Sequence, residues 1–324
     1  MTESPDPRIE APTDVIVRVE LSAICGSDLH VYRGAEAGLD AGTVLGHEFA
    51  GEVMEVGAAV ERLVAGDRVV APFSTNCGAC PACERGLTSR CEHGELFGWV
   101  EGGRGLHGGQ AELVRVPLAE ASLVKIPDGR SVAALFAGDV MSTGMFLAEL
   151  GEAGPGRRVA VIGCGPVGLM AAVAAREAGA AEVFALDLVE ERLELARGFG
   201  VTPVLASDES ALPRDVDAAL EAVGSPQSTR LAFELLRPGG TLAAAGVHVE
   251  PHLAFSPGEA YDKNLTYRAG RAPVRRFLER ALEIGQRTGV DRIVSHRIPL
   301  EEAVHGYRIF DGRLEGATKV LLEP

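Results

Sequence analysis

The chain has 324 residues and a formal net charge of −15; 46% of its residues are hydrophobic and 5% are aromatic. This length favours two domains over one. No run of eighteen apolar residues occurs, which argues against a transmembrane helix. The acidic charge and the absence of a Lys/Arg cluster argue against binding to nucleic acid. The polar, acidic start of the chain lacks the pattern of a secretory signal, so we expect a cytoplasmic protein without a membrane partner.

The first part of the chain, up to about residue 138, predicts a β-rich domain. Residues 15–21 alternate partly between apolar and polar side chains, which is typical of a strand with one buried face. Residues 51–56 and 67–71 have similar strand patterns. Glycines at positions 42, 46, 57 and 66 separate these segments and indicate turns.

The middle part predicts alternating strands and helices. Residues 158–162 (RVAVI) form an apolar run without alternation, which is typical of a strand buried on both faces. Further strand patterns lie at 182–186, 218–223 and 241–246, and helix patterns lie at 166–178, 190–199 and 228–236. Such alternation indicates a parallel sheet covered by helices on both faces. The tail adds a helix at 274–286 and a strand at 318–322, so an α/β domain inserted into the β-rich domain fits this order.

Four of the six cysteines fall in one short segment with the spacing C-x2-C-x2-C-x7-C; they are Cys77, Cys80, Cys83 and Cys91. In a chain of this size, such a cluster indicates a metal site more than a disulfide framework. Zinc favours four thiolates in a tetrahedron, and a full set of four leaves no open position. The spacing therefore predicts a structural zinc, with buried or disulfide-paired cysteines as the alternative.

A glycine-rich loop, Gly163-Cys164-Gly165-Pro166-Val167-Gly168, follows the first strand of the middle part and opens a helix. This context predicts a dinucleotide site, in which the backbone approaches a pyrophosphate at the helix N-terminus. Asp187 ends the next strand, where a carboxylate can bind the adenosine ribose hydroxyls and would repel a 2′-phosphate. We therefore expect NAD rather than NADP, with Arg192 pointing along the following helix. The alternative is a glycine-rich turn beside a solvated Asp187; Cys164 is expected to be a packing residue.

Two further segments carry metal-binding residue types: Cys25-Gly26-Ser27-Asp28-Leu29-His30 and Gly46-His47-Glu48. Taken separately, Cys25 could be a core thiol and His47 a histidine satisfied within the core. Together with the cysteine loop and the nucleotide loop, however, the chain resembles the zinc-containing medium-chain alcohol dehydrogenases over nearly its whole length. Residues 137–144 (AGDVMSTG) make the resemblance closest to bacterial secondary-alcohol and formaldehyde dehydrogenases.

The resemblance implies an α/β fold with two domains. Residues 1–139 and 271–324 would form a β-rich GroES-like catalytic domain, and residues 140–270 a Rossmann domain with a doubly wound parallel sheet. It also implies a catalytic zinc held by Cys25, His47 and Asp139, where horse-liver-type relatives have a cysteine in place of Asp139. Glu48 is expected to enter or leave the metal shell. Three protein ligands leave one position at which zinc would act as a Lewis acid on the alcohol, while a hydride passes to the nicotinamide.

The resemblance also assigns roles around the catalytic zinc. Ser27 and His30 are expected to relay a proton through the nicotinamide ribose, and Asp28 is expected to orient His47. Phe73 and Trp99 are expected to line the substrate pocket, although ordinary core packing would explain Phe73 nearly as well. Four further residues are expected to contact the cofactor: Thr143, Val167, Val247 and Lys319. Of these, Lys319 is expected at the pyrophosphate.

We therefore expect an NAD-dependent oxidoreductase, dimeric or tetrameric, that converts a primary, secondary or polyol alcohol to an aldehyde or ketone. One alternative keeps the fold but uses NAD transiently, for epimerisation or elimination in a biosynthetic pathway; stoichiometric NADH release would distinguish the two. The other is a non-catalytic zinc- and nucleotide-binding sensor. A sensor predicts the loss of a catalytic ligand, whereas Cys25, His47 and Asp139 are all present.

Overall fold

The computed structural model describes residues 3–248 and 251–324. The chain divides into two compact units. The split unit comprises the chain up to Asp139 together with Pro273–Pro324, and the inserted unit comprises Val140–Ala272.

The strands are β1 (Val15–Ala23), β2 (Phe49–Val56), β3 (Arg68–Val70), β4 (Trp99–Glu101), β5 (Arg104–Leu106), β6 (Leu113–Val116), β7 (Val124–Lys125), β8 (Arg158–Ile162), β9 (Glu182–Asp187), β10 (Thr202–Leu205), β11 (Val216–Glu221), β12 (Leu236–Ala244), β13 (Thr266–Ala269), β14 (His296–Pro299) and β15 (Val320–Glu323). The α-helices are α1 (Asp28–Tyr32), α2 (Pro81–Glu84), α3 (Ala119–Ser122), α4 (Val132–Ala137), α5 (Val140–Leu150), α6 (Pro166–Glu177), α7 (Glu190–Gly198), α8 (Pro226–Leu235), α9 (Pro257–Lys263), α10 (Val274–Thr288) and α11 (Ala303–Gly312). Within the described residues, no helix has both the length and the apolar character needed to cross a bilayer.

The split unit is built on a sheet with the strand order β14-β15-β1-β2-β3-β7, and β6 also pairs with β1. On β1, Arg18 and Glu20 alternate with buried apolar residues, and the side chains of the valines at 15, 17 and 19 pack with Phe49 and Val53 of β2. This alternation is the sequence pattern that predicts a strand at residues 15–21. The three strands predicted in this part of the chain are confirmed as β1, β2 and β3.

The inserted unit is a parallel sheet with the strand order β10-β9-β8-β11-β12-β13. Counted from its own first strand, this is the order 3-2-1-4-5-6 of a dinucleotide-binding fold. Val159, Ala160 and Val161 of β8 are fully buried, as the apolar run predicted. The predicted parallel α/β arrangement is therefore confirmed.

The strand pairing of the split unit brings distant segments together at one edge. β1 and β2 are antiparallel, with Ser22 opposite Phe49, so the segment after β1 lies beside the segment before β2. β15 pairs with the same end of β1, with Ser22 opposite Leu322. Residues that follow β1, precede β2 and precede β15 therefore meet at this edge.

Candidate metal and nucleotide sites

The loop between β3 and β4 gathers four thiol groups in the split unit. Their sulfur atoms lie within 4.8 Å of one another, and the Sγ atoms of Cys80 and Cys91 are 3.9 Å apart. A tetrahedral zinc with bonds of about 2.3 Å separates its sulfur ligands by about 3.8 Å. All four residues are free thiols, so the disulfide alternative is wrong. The donor set, which fits a zinc with no open position, is Cys77, Cys80, Cys83 and Cys91.

Backbone N–H groups of this loop point at its sulfur atoms. The N–H of Cys77 donates to Cys91 Sγ at 3.2 Å, and the N–H of Cys80 donates to Cys77 Sγ at 3.3 Å. The backbone N–H of Glu92, together with others in the loop, lowers the pKa of the Cys80 thiol to about 6. Such contacts favour the thiolate, which is the form that binds a metal.

A second group of metal-binding side chains lies at the edge where β1 ends and β2 begins. Donor atoms of Cys25, His47, Glu48 and Asp139 lie within 4.8 Å of one another. Asp139 Oδ2 is 3.7 Å from Cys25 Sγ and 3.7 Å from His47 Nε2. Ligands around a tetrahedral zinc with bonds of about 2.0–2.3 Å stand about 3.3–3.8 Å apart. The chemistry and the spacing of these donors therefore fit zinc.

Asp28 supports two members of this second group. Its Oδ1 lies 3.2 Å from His47 Nδ1, and its Oδ2 accepts a hydrogen bond from the backbone N–H of Cys25 at 2.9 Å. A carboxylate at Nδ1 holds the ring proton there and leaves the Nε2 lone pair for a metal. Ser27 Oγ lies 3.3 Å from His47 Nε2, on the metal-facing side of the ring. His30 is half-buried, one turn further along α1.

The charges of this group favour a cation at its centre. Burial raises the pKa of the Cys25 thiol. Burial by itself lowers the pKa of His47, but the negative charges of Asp28 and Cys25 raise it well above its usual value. A metal ion takes the place of such protons when it binds, because ligands coordinate in their deprotonated form.

Glu48 is paired with a lysine inside the split unit. Lys319 Nζ donates to Glu48 Oε1 at 2.5 Å and to the carbonyl oxygen of Ile24 at 3.2 Å. Both charged side chains are fully buried. The prediction that Lys319 binds the pyrophosphate is therefore wrong, because its ammonium is enclosed and neutralised by Glu48. The cause is the pairing of β15 with β1, which draws the residue before β15 to the end of β1.

Two residues beside Asp28 belong to no sequence motif. Gln110 Nε2 donates to Asp28 Oδ2 at 3.2 Å, and the hydroxyl of Tyr307 donates to Gln110 Oε1 at 2.8 Å. Gln110 precedes β6 and Tyr307 lies on α11, so only the tertiary fold brings them to Asp28. Nothing in the single sequence could identify them.

The glycine-rich loop joins β8 to α6 in the inserted unit. Gly163 has a φ of +93°, and a Cβ at Gly168 would lie only 1.7 Å from the carbonyl oxygen of Gly163, so both positions require glycine. Gly165 precedes the helix, and Pro166 occupies its first turn, where a missing N–H has no consequence. The next N–H groups, starting with that of Val167, lie at a helix N-terminus, a position that commonly binds anions in proteins.

Asp187 ends β9 next to this loop and is 9% exposed. Its Oδ2 accepts the N–H of Cys164 at 2.7 Å, and its Oδ1 accepts the N–H groups of Leu188 and Val189 at 2.7 and 3.0 Å. Cys164 is buried and acts as the packing residue that was predicted. The expected direction of Arg192 is wrong, because its Nη1 turns back to within 3.7 Å of Asp187 Oδ2.

The remaining predicted substrate and cofactor residues have defined positions in the structure. Phe73 is buried, and its ring meets the ring of His47 edge-on with centroids 6.4 Å apart. Trp99 lies half-buried on β4, and Thr143 is buried on α5. Val247 lies beyond β12 with 45% of its surface exposed. Their roles in substrate or cofactor binding stay predictions.

The comparison with protein families agrees with both units. Residues 11–128 match the family described as "Alcohol dehydrogenase GroES-like domain", and residues 166–272 match "Zinc-binding dehydrogenase". The first match falls in the split unit and the second in the inserted unit. The fold and the donor sets thus define a zinc-binding dehydrogenase, and the predicted fold class is confirmed.

Individual relatives narrow this class. The chain is 39% identical to zinc-type alcohol dehydrogenase B of Aspergillus flavus, over 95% of this chain and 75% of that protein. It is similar to the solved alcohol dehydrogenase of Thermus sp. ATN1, with 41% identity, a TM-score of 0.90 and coverage of 99% and 95% of the two chains. A putative zinc-binding dehydrogenase from Sinorhizobium meliloti 1021, solved with NADP, matches with 28% identity, a TM-score of 0.82 and coverage of 99% and 94%.

The chain belongs to the zinc-dependent medium-chain alcohol dehydrogenase family. It is therefore an oxidoreductase that interconverts a small-molecule alcohol and its carbonyl compound with zinc and a nicotinamide cofactor. The family resemblance that the motifs indicated is confirmed.

Proposed function

We propose that this chain is an NAD-preferring alcohol dehydrogenase with two zinc ions of different function. Cys25, His47 and Asp139 would hold the catalytic zinc, and the four-cysteine loop would hold the structural one. The observation that carries this proposal is the position of Asp139 Oδ2, 3.7 Å from both the thiol of Cys25 and Nε2 of His47. Three protein ligands leave a position for the substrate, whereas four thiolates leave none.

The residues around the catalytic donors would hold and move the proton. When bound, zinc polarises the substrate oxygen and the nicotinamide exchanges a hydride with the adjacent carbon. Asp28 keeps the ring proton on His47 Nδ1, so Nε2 remains a ligand. The hydroxyl of Ser27, 3.3 Å from that Nε2, is placed to accept the proton of an alcohol. His30, further along α1, would then deliver the proton to solvent.

Glu48 would act as a movable neighbour of the metal ligands. Its Oε1 is held by Lys319, while its Oε2 is buried and has no hydrogen-bond partner among the residues that the structure describes. One carboxylate oxygen of Glu48 lies within the donor group of Cys25, His47 and Asp139. Lys319 would therefore set how closely Glu48 can approach the metal.

The inserted unit would bind the dinucleotide. Asp187 is fixed by three backbone N–H groups beside the loop, which supports its role as the ligand of the adenosine ribose. Arg192 supplies a positive charge 3.7 Å away, so the discrimination against a 2′-phosphate is smaller than Asp187 alone would give. The proposed contacts of the pyrophosphate and nicotinamide are Gly163, Gly165, Pro166, Val167, Gly168, Thr143 and Val247.

The substrate would be a primary, secondary or polyol alcohol, in a pocket walled by Phe73 and Trp99. The contact of Phe73 with the His47 ring supports the first of these. We further propose a homodimer or homotetramer, on the family resemblance, in the cytoplasm. Six free thiols, four of them in one loop, suit a reducing compartment.

The proposal is tested by counting zinc and following its removal. Freshly purified protein should contain two zinc ions per chain, and mild chelation should remove one of them together with all activity, while the circular dichroism spectrum stays unchanged. Activity is read as NADH absorbance over a panel of alcohols, polyols and amino-polyols. Unchelated protein with one zinc or none would contradict the proposal. Conversion of a substrate without net NADH would instead favour the epimerisation or elimination alternative.

A further inference from the structure

The carboxylate of Asp28 is held from its far side by a glutamine and a tyrosine. Gln110 Nε2 donates to Asp28 Oδ2 at 3.2 Å and to the carbonyl oxygen of Ala23 at 3.3 Å. The hydroxyl of Tyr307 donates to Gln110 Oε1 at 2.8 Å. Both polar ends of the Gln110 amide are thus engaged, one by acceptors and the other by a donor.

This arrangement selects one orientation of the amide. Burial, followed by the negative charge of Asp28, raises the pKa of the Tyr307 hydroxyl, so the hydroxyl stays protonated and remains a donor. A flipped amide would place Oε1 of Gln110 against the Asp28 carboxylate and the Ala23 carbonyl, and both of these groups only accept hydrogen bonds. Tyr307 therefore keeps the donating end of Gln110 on Asp28.

Gln110 also contacts the segment that carries His47. Its backbone N–H donates to the carbonyl oxygen of Leu45 at 3.0 Å. Its side chain covers Gly46 so closely that a Cβ on Gly46 would lie 2.4 Å from Gln110 Cγ. One residue thus touches both the carboxylate behind His47 and the backbone just before it.

We propose that Gln110 and Tyr307 are positioning residues for the catalytic metal, holding Asp28 where it serves both His47 and Cys25. Asp28 Oδ1 faces His47 Nδ1 at 3.2 Å, and Asp28 Oδ2 accepts the Cys25 N–H at 2.9 Å. Without Gln110, Asp28 Oδ2 would lose one of its two hydrogen-bond donors, so the carboxylate would be held less firmly in the orientation that serves both residues. The inference rests on the proposed catalytic zinc at Cys25, His47 and Asp139.

The test compares Gln110→Met and Tyr307→Phe with the control Tyr32→Phe. Tyr32 stacks on Tyr307 with ring centroids 5.3 Å apart and is 48% exposed, so its phenylalanine variant keeps the ring contact and loses only a hydroxyl. Two quantities are measured: the zinc dissociation constant of the catalytic site, by competition with a chromophoric chelator, and the visible spectrum of Co²⁺ placed in that site. The spectrum reports ligand orientation, which a loss of stability alone would not change.

We expect Gln110→Met to weaken zinc binding by about tenfold, the lower end of the range for removing a direct partner of a metal-bound histidine, because Gln110 acts through Asp28. Tyr307→Phe should weaken it by about fivefold, the equivalent of one neutral hydrogen bond. Both variants should shift the Co²⁺ spectrum, and Tyr32→Phe should change neither quantity. Because Tyr307 acts mainly through Gln110, adding Tyr307→Phe to Gln110→Met should have a clearly smaller effect than Tyr307→Phe has alone.

Two results would overturn the inference by itself: a wild-type chain with two zinc ions whose variants bind zinc and Co²⁺ normally, or a full effect of Tyr307→Phe in the Gln110→Met background. A wild-type chain with only one zinc would overturn the proposed function as well. A circular dichroism spectrum and a Tm like those of the wild type show that each variant is folded. If Gln110→Met fails to fold, Gln110→Asn keeps an amide that is too short to bridge Tyr307 and Asp28, and should give the same loss.

Discussion

The two metal clusters of the split unit are built in opposite ways. The four-cysteine cluster comes from a single loop, and its sulfur atoms receive hydrogen bonds from backbone N–H groups of that same loop. The second cluster joins Cys25 to Asp139, 114 positions apart. Its donors are supported by side chains, namely Asp28 behind His47 and Lys319 behind Glu48.

This difference separates stability from chemistry. A cluster made within one loop and closed by four thiolates can tie that loop together but offers no position to a substrate. A cluster assembled from distant segments needs the whole sheet in place, and its side-chain partners can tune the ligands. Substitutions in the first cluster should therefore affect unfolding, and those in the second should affect turnover.

The largest effect is expected for Asp139→Ala. Loss of a direct zinc ligand should reduce kcat/KM by more than a hundredfold, since even outer partners of a ligand contribute about 10–100-fold. Zinc content should fall from two to one per chain with little change in Tm. Elemental analysis, steady-state kinetics and calorimetry check this, with the exposed Asp128→Ala as the matched control. Full activity and metal content in Asp139→Ala would move the third ligand elsewhere, with Glu48 as the first candidate.

Cys80→Ser should produce the opposite pattern. Because structural zinc contributes directly to folding, its loss should lower Tm by roughly 5–15 °C, at about 2–4 °C per kcal/mol for a domain of this size. Protein that remains folded should keep much of its kcat. Cys164→Ala is the control, since that thiol is buried outside both clusters. A Cys80→Ser variant with unchanged Tm and two zinc ions per chain would show that the loop does not hold a structural metal.

A smaller effect is expected for substitutions of Ser27. Its hydroxyl can act only at the metal site that has a position open to the substrate alcohol. Ser27→Ala should lower kcat by about a hundredfold, within the range of general acid–base groups, whereas Ser27→Thr keeps the hydroxyl and most of the activity.

His30→Gln should lower kcat by about tenfold, because water can replace an outer relay group. Higher pH or added buffer base should partly restore the His30 variant, since either one removes the proton. A His30→Gln profile identical to wild type at every pH would show that the proton leaves another way.

The smallest effect is expected on the preference for NAD over NADP, which depends on Asp187. Here too, support by the backbone can be compared with support by a side chain, now in the inserted unit. Its carboxylate is held by backbone N–H groups, while Arg192 is a side-chain partner that can change. Wild-type protein should prefer NAD to NADP in kcat/KM. Arg192→Ala should widen this preference by about tenfold through loss of one charge-assisted contact to the 2′-phosphate, and Asp187→Ser should narrow it. Equal efficiency of the two cofactors in the wild type would refute the NAD assignment.

Local features of the chain were predicted from sequence more successfully than long-range ones. The cysteine spacing and the glycine-rich loop specify their own geometry, because the first lies within one loop and the second within one strand–helix junction. The direction of a long side chain does not follow from such patterns. Arg192 folds back on Asp187, and Lys319 is buried against Glu48, because neighbouring elements place a carboxylate within their reach. The contacts of Gln110 and Tyr307 likewise could not be predicted, since only the strand pairing and α11 bring these residues to Asp28.

The pairing of β15 with β1 also determines the order in which the two units can fold during synthesis. The inserted unit, Val140–Ala272, is contiguous in sequence and can fold once Ala272 has left the ribosome. The split unit needs Pro273–Pro324 as well, which takes roughly 3–10 s more at about 5–20 residues per second. During that interval Glu48 is already made but Lys319 is not. Synthesis of residues 273–324 thus decides when the buried charge beside the metal ligands becomes neutralised, and a ribosome pause in this segment would prolong the exposure of the end of β1 that pairs with β15.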